Sequence, residues 1–195
     1  SVWTRPRSRT SPSSSHPSAR PDGCATGCGV PAGESMPPSV VVALPDAEAT
    51  RELGRALAGV LRAGDLLVLT GDLGAGKTTL TQGLGEGLGV RGPVTSPTFV
   101  ISRVHPSLVG GPALVHVDAY RLGSALELDD LDLDTDLADA VVVVEWGAGL
   151  AESLSADRLE VVLESAPDGS RRARVSSVGP RWAGTDLAGA LRADG

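Results

Sequence analysis

One run of residues carries the clearest chemistry in this chain: Gly71-Asp72-Leu73-Gly74-Ala75-Gly76-Lys77-Thr78, a full match to G-x-x-x-x-G-K-[ST]. Glycines at these positions let the backbone curl so that successive N–H groups converge on an anion. A helix starting near Lys77 would add its positive N-terminal end. Lys77 is suited to the β/γ-phosphates, Thr78 can offer a hydroxyl to Mg2+, and Thr79 follows on the same turn. Lys77 is the only lysine among 17 Lys+Arg residues. A compact ammonium fits that cradle, and a planar guanidinium does not replace it. The spacing therefore predicts a nucleoside triphosphate site. A guanine-reading N/T-K-x-D motif needs a second lysine, so ATP is preferred to GTP, and no LSGGQ-like segment is present.

Such a loop works only with acids at neighbouring strand ends, which hold metal and position water. Two candidates fit. Val141–Val144 is an apolar run ending in Glu145, and Leu114–Val117 is a second run ending in Asp118. Glu145 reads as a metal-side ligand together with Thr78, whereas Asp118 is better placed to orient water or signal to a partner. His116, inside the second run, reads as a core histidine. Glu127, Asp129, Asp130, Asp132, Asp134, Asp136 and Asp139 form an acidic stretch that reads first as a solvated helix face and second as a docking surface for a basic partner.

These residues need a scaffold of buried strands and covering helices. Ser39–Leu44 predicts a strand, and Asp46 predicts the N-cap of a helix running to about Arg62 with Gly64 as its stop. Leu66–Leu69 is apolar throughout, as in a strand covered on both faces. The helix after the glycine-rich loop turns Leu80, Leu84 and Leu88 inward. Phe99–Val104, Leu114–Val117 and Val141–Val144 predict further strands, with a helical stretch over about Ser124–Ala138. Leu159–Leu163 and Ala173–Ser176 predict a pair of edge strands joined at Pro167-Asp168-Gly169, and a last helix covers roughly Arg181–Arg192. The expected class is α/β in three layers.

Composition narrows the function. The chain has 195 residues and a formal charge of −7, so it has no general electrostatic grip on nucleic acid, DNA included. Five aromatic residues are too few for a base-stacking platform. No apolar run approaches the ~18–20 residues of a membrane span. The expectation is an acidic cytoplasmic protein with one folded domain at 36–195. Residues 1–35 hold eight Ser, five Pro and four Gly and almost no aliphatic side chains, a composition that predicts disorder. Met36, the only methionine, lies where periodic sequence begins and is the expected natural start. Cys24 and Cys28 lack a second pair of ligands nearby and read as free thiols rather than a zinc half-site.

Four segments occur in order: Gly71–Thr79 (GDLGAGKTT), Ser96-Pro97-Thr98-Phe99, Asp118-Ala119-Tyr120-Arg121-Leu122 and Glu145-Trp146. Together they resemble the TsaE (YjeE) family of small bacterial P-loop ATPases, over roughly residues 40–182. The resemblance implies a P-loop NTPase fold whose central mixed sheet includes some antiparallel strands. It implies a supporting role in forming N6-threonylcarbamoyladenosine in tRNA. In that family a TsaC-type enzyme supplies threonylcarbamoyl-adenylate and TsaD, paired with TsaB, holds the transfer chemistry. The TsaE-type member binds and hydrolyses ATP against the TsaD–TsaB pair, and tRNA is met only through the complex. Carried onto this chain, Lys77 and Thr78 hold phosphate and Mg2+, Glu145 is the second metal-side ligand, and Asp118 positions water or couples to the partner. Ser96 and Thr98 lie in a switch-like loop near the γ-phosphate, and Trp146 packs beside the site. A small-molecule kinase and a nucleotide-dependent binding module are the alternatives. The first usually carries an arginine-rich lid, yet the stretch from Thr98 to Asp118 has only Arg103.

Overall fold

A seven-stranded mixed sheet organises the chain, and its order explains why the chemistry collects at one edge of the sheet plane. In the computed structural model, residues 38–95, 102–121, 138–149 and 154–192 are described. They lie within a unit spanning Met36–Gly195. The strands are β1 (Ser39–Leu44), β2 (Leu66–Gly71), β3 (Ser102–His105), β4 (Ala113–Asp118), β5 (Ala140–Glu145), β6 (Arg158–Ser165) and β7 (Arg171–Val178). Their spatial order is β1-β7-β6-β2-β5-β4-β3. The four central strands β6, β2, β5 and β4 run parallel, and β7, β1 and β3 add antiparallel pairings. The expected α/β class with a mixed sheet is borne out. The predicted disorder of 1–35, the two cysteines and the acidic segment from Glu127 to Asp136 fall outside the described residues.

Continuous apolar sequence puts β2 and β5 in the middle. Every residue of Ala140–Glu145 is buried, and so are Leu66–Leu69. Among the described residues, helices α1 (Ala47–Ala58) and α2 (Lys77–Leu88) cover one face. Beneath them Leu53, Leu57, Leu80 and Leu84 pack on Leu67, Leu69, Val141 and Val143. The opposite face buries Leu66, Val68, Val115, Val117, Val142 and Val144 in a smaller cluster.

Helix α2 contains three glycines, at a cost of up to about 1 kcal/mol each relative to alanine. Packing explains all three, a Cβ on Gly85 standing 2.6 Å from Val94 Cγ2. A Cβ on Gly83 would overlap the backbone carbonyl of Arg51, and one on Gly87 would strike Ala58 of α1. On the facing helix, a Cβ on Gly54 would overlap the Leu80 carbonyl and lie 2.7 Å from Leu84 N. The two backbones touch, which holds α1 and α2 against each other. Gly83→Ala is therefore expected to destabilise the fold by about 1–3 kcal/mol in spite of alanine's better helix propensity. Chemical denaturation checks this, and a midpoint that stays put or rises would contradict it.

Three sequence expectations need correction. Helix α1 ends at Ala58 rather than near Arg62, with Gly59 at its C-cap. The Asp65 carboxylate draws the chain out of the helix by accepting the Arg62 N–H at 2.9 Å. Arg181 then clamps that turn, donating to both Asp65 oxygens and to the Val60 carbonyl. The hairpin β6–β7 is not at the sheet edge, because β1 pairs along β7 from Ser39↔Ser176 to Leu44↔Arg171. Its alternating burial marks one solvated face, a pattern that an edge strand would share. The expected helix over 181–192 is broken into a 3-10 turn (Pro180–Trp182) and a short α3 (Leu187–Ala190). Gly184 sits at φ 84°, and the Asp186 carboxylate starts a fresh turn by accepting the Gly189 N–H.

Candidate functional site

β2 ends where the phosphate-type loop begins, and its last residue decides the shape of that loop. Gly71 adopts φ 150°, and a Cβ there would stand 2.5 Å from the Leu163 carbonyl of β6. Only glycine fits this close approach. Gly76 closes the loop as the N-cap of α2 in the left-handed region, φ 108°, with no side chain capping the first turn. The amides of that turn are thus available to an anion, aided by the helix dipole. Ala75 is buried beneath the loop, whereas Leu73 at its crest is almost wholly exposed.

Lys77 folds back under the loop. Its Nζ donates to the carbonyls of Gly71 at 2.8 Å and Asp72 at 3.0 Å. It also stands 3.8 Å from the ring centroid of Trp146, a cation–π contact. Burial pushes this ammonium below the ordinary lysine range, and the charges of Glu145, Asp118 and Asp72 pull it partly back. Phosphate oxygens would supply the same kind of compensation from the open side.

The two candidate acids stand side by side. β4 and β5 are parallel and in register, Asp118 opposite Glu145, and β5 lies directly beside β2. Glu145 is nearly fully buried. Its Oε1 accepts from the Thr78 hydroxyl at 3.4 Å and lies 2.8 Å from His116 Nε2. Asp118 is half-buried, and its Oδ1 accepts the Tyr120 N–H at 3.1 Å. After Glu145 the chain turns sharply: Trp146 has φ 62°, unusual for a bulky residue, and its N–H donates to the Leu69 carbonyl at 2.9 Å. Tyr120 meets the Trp146 ring with centroids 5.2 Å apart.

These groups enclose a cavity of about 530 Å3, lined by Leu73, Gly74, Gly76, Lys77, Thr78, Thr79, Asp118, Tyr120, Glu145 and Trp146. That size suits a nucleotide-sized ligand. Of the residues expected at the site, Gly71 and Asp72 contribute carbonyls to Lys77, and Ala75 underlies the loop. Ser96 and Thr98 lie outside the described residues. The thiol-free, oxygen-bearing pair of Glu145 and Thr78 suits a hard cation such as Mg2+. No group of three or more His, Cys, Asp or Glu able to enclose a metal occurs among the described residues. A Mg2+ here would depend on phosphate oxygens and water, the usual arrangement for this ion.

Two residues matter more in the fold than their sequence positions suggest. His116 reads as a core histidine, and it is buried, but against Glu145. Strand alternation is the available signal, because residues two apart share a face and His116 therefore points the same way as Asp118. Tyr120 belongs to a sequence motif, and only the fold makes it a wall of the site.

A family model described as threonylcarbamoyl adenosine biosynthesis protein TsaE matches residues 44–173, which includes the loop and both acids. The chain belongs to the TsaE family. A relative from Streptomyces coelicolor, named tRNA threonylcarbamoyladenosine biosynthesis protein TsaE, is 63% identical over 142 residues, covering 70% of this chain and 96% of the relative. A protein of the same name from Bacillus subtilis is 40% identical over 136 residues, 69% of this chain and 84% of that protein. Among solved structures, the crystal structure of Bacillus subtilis YdiB matches with a TM-score of 0.66 at 32% identity, covering 82% of this chain and 98% of that one. Among the described residues, no helix is long and apolar enough to cross a membrane.

Proposed function

We propose that this TsaE-family protein is the ATP-binding and ATP-hydrolysing component of the machinery that forms N6-threonylcarbamoyladenosine in tRNA, acting in the cytoplasm on a TsaD–TsaB-type pair rather than performing the transfer itself. The single observation that supports this best is the convergence of Lys77, Thr78, Glu145 and Asp118 on one cavity, in a chain whose family is described by that biosynthesis. Lys77 and the α2 amides bind the phosphates. Thr78 and Glu145 would hold Mg2+, which when bound neutralises charge on the β- and γ-phosphate oxygens. Asp118, its carboxylate oriented by the Tyr120 N–H, orders the attacking water. Trp146 and Tyr120 wall one side of the cavity.

From residue 36 onward the chain carries 13 Lys+Arg against 22 Asp+Glu, so tRNA is met through the partners. The test is co-purification with a TsaD–TsaB pair, with and without ATP, alongside phosphate release. ATP-dependent capture and partner-stimulated hydrolysis are expected, with no sub-micromolar tRNA binding by this protein alone at physiological salt. Phosphate transfer to a metabolite instead of water would favour a kinase. Tight tRNA binding by the isolated chain would overturn the indirect role.

A further inference from the structure

His116 is the buried polar group that phosphate binding leaves unexplained. It is fully buried between Val115 and Val117 in the middle of β4. A polar ring in such a position is costly unless its atoms are paired. The ring makes one pairing, from Nε2 to Glu145 Oε1 at 2.8 Å, and Nδ1 has no hydrogen-bond partner among the described residues. An imidazole with one N–H, aimed at the carboxylate, leaves only a lone pair at Nδ1. Glu145 thus receives a donor from below, out of reach of solvent, while the Thr78 hydroxyl approaches the same oxygen from the loop. An apolar residue would fill the volume without that contact.

We propose that His116 is a positioning residue for the metal side of the site. Its Nε2–H holds the Glu145 carboxylate in the orientation in which it and Thr78 meet Mg2+. The proposal rests on the reading of this cavity as a Mg-nucleotide site. Groups that orient a metal ligand from behind typically change metal affinity ten- to a hundredfold when removed.

The experiment is a Mg2+ titration of ATP binding by calorimetry, with a parallel ATP titration in excess EDTA. His116→Leu removes the donor and keeps bulk. It is expected to raise the Mg2+ needed for half-maximal binding by about tenfold or more, while metal-free ATP affinity stays within about twofold. His116→Gln, whose amide reaches about as far as Nε2, is expected to return the Mg2+ requirement to within about threefold of the parent. If the leucine variant does not fold, His116→Asn replaces it, since its shorter amide cannot reach Oε1. An unchanged Mg2+ requirement overturns the proposal, as does equal weakening with and without metal, which would mean packing alone. Failure of Gln to restore what Leu or Asn loses also overturns it. A parent protein whose ATP binding ignores Mg2+ overturns the metal reading itself and this proposal with it. A Mg2+-dependent parent with an indifferent His116 variant overturns only the latter.

Discussion

Lys77→Ala is expected to weaken ATP binding ten- to a hundredfold, the largest affinity loss from any single side chain of the loop. The ammonium is held between the Gly71 and Asp72 carbonyls at 2.8 and 3.0 Å and capped by the Trp146 ring. Its position is therefore set before phosphate arrives, and little side-chain entropy is lost on binding. A charge-assisted contact of this kind contributes about 1.5–3 kcal/mol, which converts to that range of affinities. Burial already disfavours the charged ammonium, so the approach of phosphate oxygens relieves a standing cost. Removing the side chain also leaves Glu145 and Asp118 facing a polyanion without the intervening cation. Calorimetric titration of ATP decides it, and unchanged affinity would mean that the loop does not bind phosphate.

Glu145→Gln and Asp118→Asn are expected to separate binding from turnover. Glu145 is buried in the strand next to β2 and touches Thr78. The Gln variant keeps the shape but loses the charge that favours a cation, so ATP binding should depend less on Mg2+ and hydrolysis should fall sharply. Asp118 stands one strand further out, is half-buried, and spends one oxygen on the Tyr120 N–H. Asp118→Asn should keep Mg-ATP affinity within about threefold, under ~0.7 kcal/mol. Its partner-stimulated hydrolysis should drop by about a hundredfold, the usual contribution of a group that orients and deprotonates water. Mg-ATP affinity and turnover with a TsaD–TsaB pair, measured for both variants, settle the assignment. Loss of metal-dependent binding in Asp118→Asn but not in Glu145→Gln would reverse the two roles.

Local chemistry in the sequence determined most of this site. Gly71 through Thr78 could be read directly because backbone shape there depends on which residues lack a Cβ and which one carries an ammonium. The strands behind Glu145 and Asp118 were legible because strongly apolar runs, Val141–Val144 without a break and Leu114–Val117 broken only by His116, have few stable placements other than the middle of a sheet. Asp46 announced the start of α1 for a similarly local reason, a carboxylate accepting the Ala49 N–H. Tertiary structure decided the rest. Asp65 turns the chain after α1 by accepting the Arg62 N–H, but Arg181, a residue 116 positions away, holds that carboxylate in place, and no local propensity records such a pairing. The β6–β7 hairpin is interior because β1 returns to cover it, a matter of strand order that alternation within one strand does not encode. His116 acquired a partner only when parallel pairing set β4 beside β5 and brought its ring to Glu145, 29 positions away. Composition and periodicity report what a residue can do. Which partner it meets is determined by long-range register, where burial leaves a polar atom only the neighbours that the sheet supplies.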